Sequence, residues 1–289
     1  MEASPRALPV REIVIEPNRN WFRLNWAEFW EYRDLLFLLV RRDFLSKYKQ
    51  TVLGPAWFVL QPLLTTLVFT VFFGKVAKVS TEGVPGMLFY LCGMLGWNYF
   101  AQNISTGAAT FTNNAQLFGK VYFPRLVVPV SAIISNAFAL GLNLVVYLAF
   151  FTWYKSFVPE AAPLRIGVAA CWVPLLILET AALSLGVSLW LSASSAKYRD
   201  LSHITPLLIQ LWMFATPIIY PASSLPPQMQ WINWVNPMSA ITEGFRYCLL
   251  GKSTLGMPAM IASALLTMAL LLSGILLFQK TERTVVDTV

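Results

Sequence analysis

The segment from Arg41 to Pro62 constrains the chain more than any other, because a basic stretch passes into an uncharged apolar run with almost no spacer. Arg41, Arg42, Lys47 and Lys49 lie just before that run. Positive charge beside a hydrophobic span is retained on the cytoplasmic side of a membrane. The junction therefore predicts a membrane protein whose first span starts from the cytosol.

The composition supports that interpretation. Hydrophobic residues make up 57% of the chain and charged residues only 12%, whereas soluble domains carry roughly 25% charged residues. A net charge of +7 would suggest nucleic acid in a soluble protein, but nine of the 21 basic residues precede residue 50. Chain orientation and attraction to anionic membrane lipids explain these charges, so no nucleic-acid partner is expected.

Charge-free windows of about 20 residues, the length that crosses a hydrocarbon core, define the membrane spans. Six windows occur, interrupted once by Glu179, at residues 52–73, 87–108, 126–153, 166–190, 201–220 and 257–278. An even number of spans returns the chain to its starting side. The loops assigned to the cytosol then hold 15 basic residues against six outside, which predicts that both termini are cytosolic.

The remaining segments complete an all-α polytopic membrane protein. Residues 1–24 are polar and predict a flexible cytosolic lead, and residues 25–45 predict an amphipathic interfacial helix. Residues 46–289 form one domain of six transmembrane helices. Within it, residues 222–256 are too apolar for a solvated loop and are broken by prolines. They predict either short re-entrant helices between spans five and six or a surface aromatic belt.

Short motifs occur in order along nearly the whole chain. They are RD at 42–43, YKQT at 48–51, LG at 53–54, Trp57, QP at 61–62, Asn114, KVYFPR at 120–125, YRDL at 198–201, TPIIYP at 216–221, NP at 236–237, Arg246 and ERTVVD at 282–287. The ordered set resembles the membrane subunit of ABC-2 type polysaccharide exporters, which export O antigen, teichoic acid and capsule.

The resemblance implies a six-span permease of the bacterial inner membrane that dimerises and associates with two copies of a separate ATPase. ATP and magnesium would then be bound by that partner, and this chain would bind no cofactor and catalyse no reaction. Residues 250–254, LGKST, resemble the end of a nucleotide-binding loop, but the glycine required five residues earlier is Arg246. By position, the helix before Arg41 and residues 113–125 and 192–200 would dock on the ATPase, or would only connect helices.

The family's cargo is carried on a polyprenyl diphosphate, so the resemblance also implies a head-group site at the cytosolic membrane boundary. Arginine suits a diphosphate because its planar fork holds two phosphate oxygens at once. The candidates for head-group binding or coupling are Arg42, Lys120, Arg125, Arg199 and Asp200. The basic residues among them could instead serve only to orient the chain.

A path for a sugar chain needs neutral polar groups and aromatic faces that bind weakly, because tight contacts would stall a long polymer. Such side chains recur at helical spacing in three spans: Trp57, Gln61 and Thr65; Asn98, Gln102 and Ser105; and Thr205, Trp212, Thr216 and Tyr220. Polar groups in spans also act as interhelical hydrogen-bond glue, worth about 1 kcal/mol or less. Both roles stay open from the sequence.

Two further ionisable residues lie within the predicted spans. An acid at mid-span is costly and therefore a functional candidate, but Glu179 has no chain of acids or histidines to relay a proton. We expect Glu179 to be protonated or hydrogen-bonded to a neighbouring helix. His203, the only histidine, is expected to be structural or interfacial.

Other function classes are weighed against the exporter. A membrane glycosyltransferase or acyltransferase needs converging acids or histidines, which the scattered carboxylates do not offer. A secondary transporter would show repeated halves or charged midplane helices. An ABC-2 exporter of another cargo, such as a lipid, a drug or haem, is the closest alternative.

Overall fold

The computed structural model describes residues 26–48, 54–120, 123–158, 166–198 and 200–286. Every regular element in these ranges is helical. The α-helices are α1 (Trp26–Glu31), α2 (Arg33–Tyr48), α3 (Trp57–Phe69), α4 (Gly86–Ala108), α5 (Thr110–Asn113), α6 (Ala115–Phe118), α7 (Val127–Phe157), α8 (Val173–Lys197), α9 (Asp200–Ala215), α10 (Trp231–Val235), α11 (Pro237–Leu250) and α12 (Met257–Val286). A π-helical segment, Thr70–Val76, continues α3, and 3-10 turns precede α3 and α8.

Four helical stretches are long and apolar enough to cross a membrane: Val59–Val76, Val127–Phe157, Val168–Lys197 and Met257–Glu282. They correspond to the first, third, fourth and sixth predicted spans, and they confirm a multi-pass membrane protein. Helix α4 has 23 residues at the position of the second span, but its second half is polar. Helix α9, in the fifth, has only 16 residues, fewer than the roughly 20 that a span requires.

Helix α4 lies at the centre of the bundle and packs against α3, α7, α8, α9 and α11. Leu88, Tyr90 and Phe100 are among its fully buried side chains. Its low hydropathy follows from this position, because a helix surrounded by protein can pair its polar groups internally instead of presenting them to lipid.

Helices α8 and α12 approach each other through two glycines. A Cβ atom on Gly186 would lie 2.7 Å from the backbone nitrogen of Leu271, and one on Gly274 would lie 2.5 Å from the carbonyl oxygen of Gly186. Small residues at such a crossing let two helix backbones come close. The crossing therefore fixes the position of α12 on the bundle.

The segment predicted as one interfacial helix over residues 25–45 is two helices, α1 and α2, and α2 continues to Tyr48. Leu39 packs against the start of α7 together with Phe123 and Val127. Phe37, by contrast, is exposed. Helix α2 thus packs on α7 with part of its surface while carrying exposed apolar side chains. Its location at a membrane surface stays a prediction.

The bundle has two ends. The α2 end comprises α2, α5, α6, the start of α9 and the last turns of α12, with Phe111 stacked on Phe278 at 4.7 Å between ring centroids. The α11 end comprises residues 77–85 and 216–256. Helix α11 is almost wholly buried there, against α4, α8 and α12.

Candidate functional site

The polar stripe predicted along the fifth span is split, because α9 ends at Ala215 rather than reaching residue 220. The Asn236 side-chain nitrogen donates to the Ala215 carbonyl at 3.2 Å and to Thr216 Oγ1 at 2.9 Å. Asn236 Oδ1 accepts from Trp212 Nε1 at 2.8 Å and from the backbone amide of Met238 at 3.1 Å. One side chain therefore stops α9, caps α11 and takes up the indole N–H of a predicted lining residue.

The other side chains of that stripe also have internal partners. The buried Thr205 Oγ1 donates to the Leu201 carbonyl at 2.7 Å, and the Tyr220 hydroxyl donates to the Phe214 carbonyl at 3.0 Å. These bonds match the glue alternative. A role for these residues in lining a path stays a prediction.

Arg246 and Glu243 of α11 form a buried ion pair, with Nη1 and Oε1 2.7 Å apart and side chains 3% and 2% exposed. Arg246 Nη2 donates to the Ile218 carbonyl at 2.8 Å, and the guanidinium carbon lies 3.8 Å from the ring centroid of Phe89 on α4. Glu243 Oε2 accepts from the backbone nitrogen of Thr254 at 3.0 Å. We call Arg246, Glu243 and these partners the buried-pair cluster. It joins α11 to α4, to the break after α9 and to the loop before α12.

The tally of loop charges places Arg246 among the outer basic residues, whereas the structure buries it. The stretch resembling a nucleotide-binding loop also has a structural explanation. Gly251 adopts the left-handed conformation, with φ of +71°, and ends α11. Lys252 Nζ donates to the carbonyl of Glu82, whose carboxylate accepts from Ser223 Oγ at 2.7 Å. Gly251 and Lys252 therefore hold the α11 end together.

The stripes of the first two predicted spans lie on the neighbouring helices α3 and α4. Trp57 is 48% exposed, Gln61 is exposed, and the half-buried Thr65 donates to the Gln61 carbonyl at 3.0 Å. Asn98 is half-buried and Gln102 is exposed. These groups face the exterior of a single chain, where lipid, water or another protein surface would meet them.

A polar cleft of about 370 Å³ opens at the α2 end. It is lined by Arg42, Asp43, Ser46, Thr106, Thr110, Asn113, Asn114, Val128, Ala132 and Asn136, which come from α2, α5, α7 and the end of α4. Arg42 is half-exposed and donates to Asp43 Oδ1 from Nε at 3.0 Å and from Nη2 at 2.8 Å. One candidate from the sequence thus lies in a cavity of head-group size.

Arg125, by contrast, is taken up by packing. Its side chain is 11% exposed, and its Nε lies 3.8 Å from Glu282 Oε1. Its Nη1 donates to the Glu282 carbonyl at 3.2 Å, and its guanidinium lies 5.1 Å from the ring centroid of Phe118 on α6. Arg125 therefore clamps the start of α7 to the end of α12. Lys120 and Asp200 are exposed, and Arg199 lies outside the described residues.

Glu179 accepts a hydrogen bond from Ser263 of α12, with the two oxygens 2.6 Å apart. This confirms the expected bond to a neighbouring helix, and Ser263 also donates to the carbonyl of Pro237. His203 is exposed on α9.

A network of amides near the cleft was not predicted from the sequence. Asn103 of α4 donates to Ser184 Oγ of α8 at 3.0 Å, and its side-chain oxygen accepts from Asn136 of α7 at 2.9 Å. Asn136 also donates to Thr106 Oγ1 at 3.3 Å. The network joins three helices in the core. The available signal was an asparagine on each of two apolar helices, where an unpaired amide would be costly.

Comparisons with known proteins agree with this arrangement. A family model described as ABC-2 type transporter matches residues 34–250. The chain is 29% identical to the O-antigen export system permease protein RfbA of Myxococcus xanthus, over 76% of this chain and 81% of that protein. It is 27% identical to a protein of the same name from Klebsiella pneumoniae, over 74% and 79%. It is 22% identical to the polysialic acid transport protein KpsM of Escherichia coli, over 86% and 93%.

Proposed function

The chain belongs to the ABC-2 type transporter family, and from that premise we propose that it is the transmembrane subunit of an ATP-driven polysaccharide exporter. One observation carries the proposal: relatives named for O-antigen export or polysialic acid transport align with about three quarters or more of the chain. The aligned part includes both the cleft at the α2 end and the buried-pair cluster at the α11 end.

The proposed topology has six spans, with both termini in the cytosol of a bacterium and the bundle in its inner membrane. The four long apolar helices supply four crossings. Helix α4 and helix α9, extended by residues 216–221, would supply the other two. Helices α10 and α11 would then be re-entrant, and the nearly complete burial of α11 supports this assignment, because such segments persist at membrane depth when protein covers them.

The proposed partners are two copies of an ATPase and a second copy of this chain. Only 6% of the Val59–Val76 stretch is buried within one chain, against 28% for each of the other three. Its surface would meet lipid or the second copy. Helices α5 and α6 lie in the range predicted to dock on the ATPase. Arg125 ties that range to α12 through Glu282.

The proposed cargo is linked to a polyprenyl diphosphate whose head group enters near Arg42. Arg42 is half-exposed in a cleft beside the basic segment, whereas the guanidinium of Arg125 is engaged by Glu282. Of the two arginines, Arg42 therefore suits head-group binding and Arg125 suits coupling.

Deletion of the chain tests the function. Lipid extracts of the deletion strain should contain lipid-linked saccharide that disappears when the wild-type chain is restored with its ATPase, as measured by mass spectrometry. Accumulation of a drug, haem or a simple lipid instead would favour an exporter of another cargo. Products of a sugar or acyl transfer missing from the extracts would favour an enzyme.

The variant Arg42→Gln tests the head-group site. Export should fall while membrane insertion and ATPase association stay intact, because one charge among 15 does not set the orientation. Arg41→Gln is the matched control, since Arg41 is an exposed neighbour of equal charge that does not line the cleft. Normal export by Arg42→Gln at wild-type protein levels would leave the basic cluster as an anchor only.

A further inference from the structure

We propose that the polar cleft at the α2 end recognises the first sugar of the cargo together with the phosphate that carries it. This inference rests on the proposed function. The cavity of about 370 Å³ falls within the roughly 300 to 1,000 Å³ of small-molecule sites. Eight of its ten lining residues are polar, so a hydroxylated head group fits it and a hydrocarbon tail does not.

The hydroxyl groups of the cleft are set up to accept hydrogen bonds. Ser46 Oγ, Thr106 Oγ1 and Thr110 Oγ1 each donate to a backbone carbonyl of a preceding residue, at 3.0, 2.8 and 2.7 Å. A hydroxyl has one hydrogen, so with that hydrogen engaged its oxygen can only accept from a ligand. The ligand must therefore bring donors, and a sugar brings several hydroxyl groups.

The charged pair in the cleft adds a place for a phosphate. Both hydrogen bonds between Arg42 and Asp43 end on Asp43 Oδ1 and use Arg42 Nε and Nη2. Arg42 Nη1 can then donate to a phosphate oxygen, and Asp43 Oδ2 can accept from a sugar hydroxyl. Because the pair is neutral overall, it favours a phosphate with a hydroxylated neighbour over a phosphate alone.

The wall of the cleft is rigid where it is buried and accessible at the rim. Asn136 is 2% exposed and is held by Asn103 and Thr106. At the rim, Asn113 is exposed, and the Asn114 side-chain nitrogen donates to the Thr110 carbonyl at 3.0 Å. A fixed set of acceptors in the core with adjustable amides at the rim can discriminate between head groups.

Binding of defined lipids tests the inference. The full-length chain with its partner ATPase is titrated with undecaprenyl diphosphate, with the same lipid bearing one N-acetylhexosamine, and with phosphatidylglycerol, and bound lipid is counted by native mass spectrometry. The wild type should prefer the sugar-bearing lipid about tenfold. Removing sugar-facing groups with Ser46→Ala and Asn113→Ala should reduce that preference roughly fivefold for each bond lost. Arg42→Gln should weaken both diphosphate lipids equally.

Arg41→Gln and Gln116→Ala serve as controls, since both residues are exposed and neither lines the cleft. Equal wild-type affinity for the two diphosphate lipids, or an unchanged preference in the Ser46 and Asn113 variants, would overturn the proposal. Equally tight binding of phosphatidylglycerol, lost with Arg42→Gln, would assign the cleft to membrane lipid and overturn it too. Absence of export in cells despite intact discrimination would instead refute only the proposed function.

Discussion

Replacing Arg246 by methionine should be among the most destabilising single substitutions in the chain. Glu243 would stay buried at 2% exposure without its partner, and breaking a buried ion pair in this way costs about 3 to 5 kcal/mol. The Ile218 carbonyl would also lose the charged donor that lies 2.8 Å away, which adds about 1 kcal/mol or more. We therefore expect the free energy of unfolding to fall by about 4 to 6 kcal/mol.

The double variant Arg246→Met with Glu243→Leu separates the pair from its surroundings. With both charges gone, no unpaired ion is left in the core, so the free energy of unfolding should recover much of the loss. A deficit of about 1 to 2 kcal/mol should persist, because the Ile218 carbonyl and the Thr254 amide lose their partners. The double variant should thus be more stable than the single variant.

Equilibrium unfolding in mixed micelles of dodecylmaltoside and sodium dodecyl sulfate, followed by circular dichroism, measures these differences. Arg33→Met is the matched control, because Arg33 pairs with Asp34 at 3.9 Å on an exposed surface, where both side chains are more than half accessible. That change should be nearly silent. A loss of less than about 1 kcal/mol for Arg246→Met, or costs that simply add in the double variant, would refute the assigned role of the cluster.

Three further outcomes are expected. The purified chain should neither bind nor hydrolyse ATP, and turnover free of contaminating ATPase would contradict the two-component exporter. In intact cells lacking other cysteines, a cysteine near Lys120 should resist impermeant thiol reagents and one near Pro227 should react; reversed labelling would invert the topology. Gly186→Ala should lower the free energy of unfolding by about 1 to 3 kcal/mol, because its Cβ would meet the α12 backbone. Gly141→Ala, which meets nothing within 4 Å, should not, and equal losses for the two variants would show that the crossing is looser than the structure indicates.

The existence of the long helices was predictable from the sequence because hydropathy and length decide whether a segment can cross a membrane. The end of the fifth predicted span was not. Its apolar pattern continues past Ala215, and the helix stops there because Pro217 lacks an N–H and Asn236 bonds the exposed carbonyl. Asn236 lies 21 residues further along the chain, so no local window contains both partners.

Buried charge was a second point at which the sequence misled. Arg246 lies between apolar spans, so a tally of loop charges treats it as solvated. The structure gives it a carboxylate three residues earlier, a backbone carbonyl 28 residues earlier and an aromatic face on α4. Glu243 was the available signal, since an acid and an arginine three positions apart on a helix can meet. That spacing alone does not reveal burial.

Periodicity shows that α4 has polar faces, but only the neighbouring helices decide what each face does. Gln102 and Asn103 are adjacent in sequence, yet Gln102 is exposed and Asn103 is 1% exposed and bonded to Ser184. Asn103 therefore holds helices together, and Gln102 keeps its side chain on the outside of the bundle. The same contrast separates Gln61, which is exposed, from the internally bonded side chains at the end of α9. A search for residues that contact a passing sugar chain should therefore start from Gln61 and Gln102.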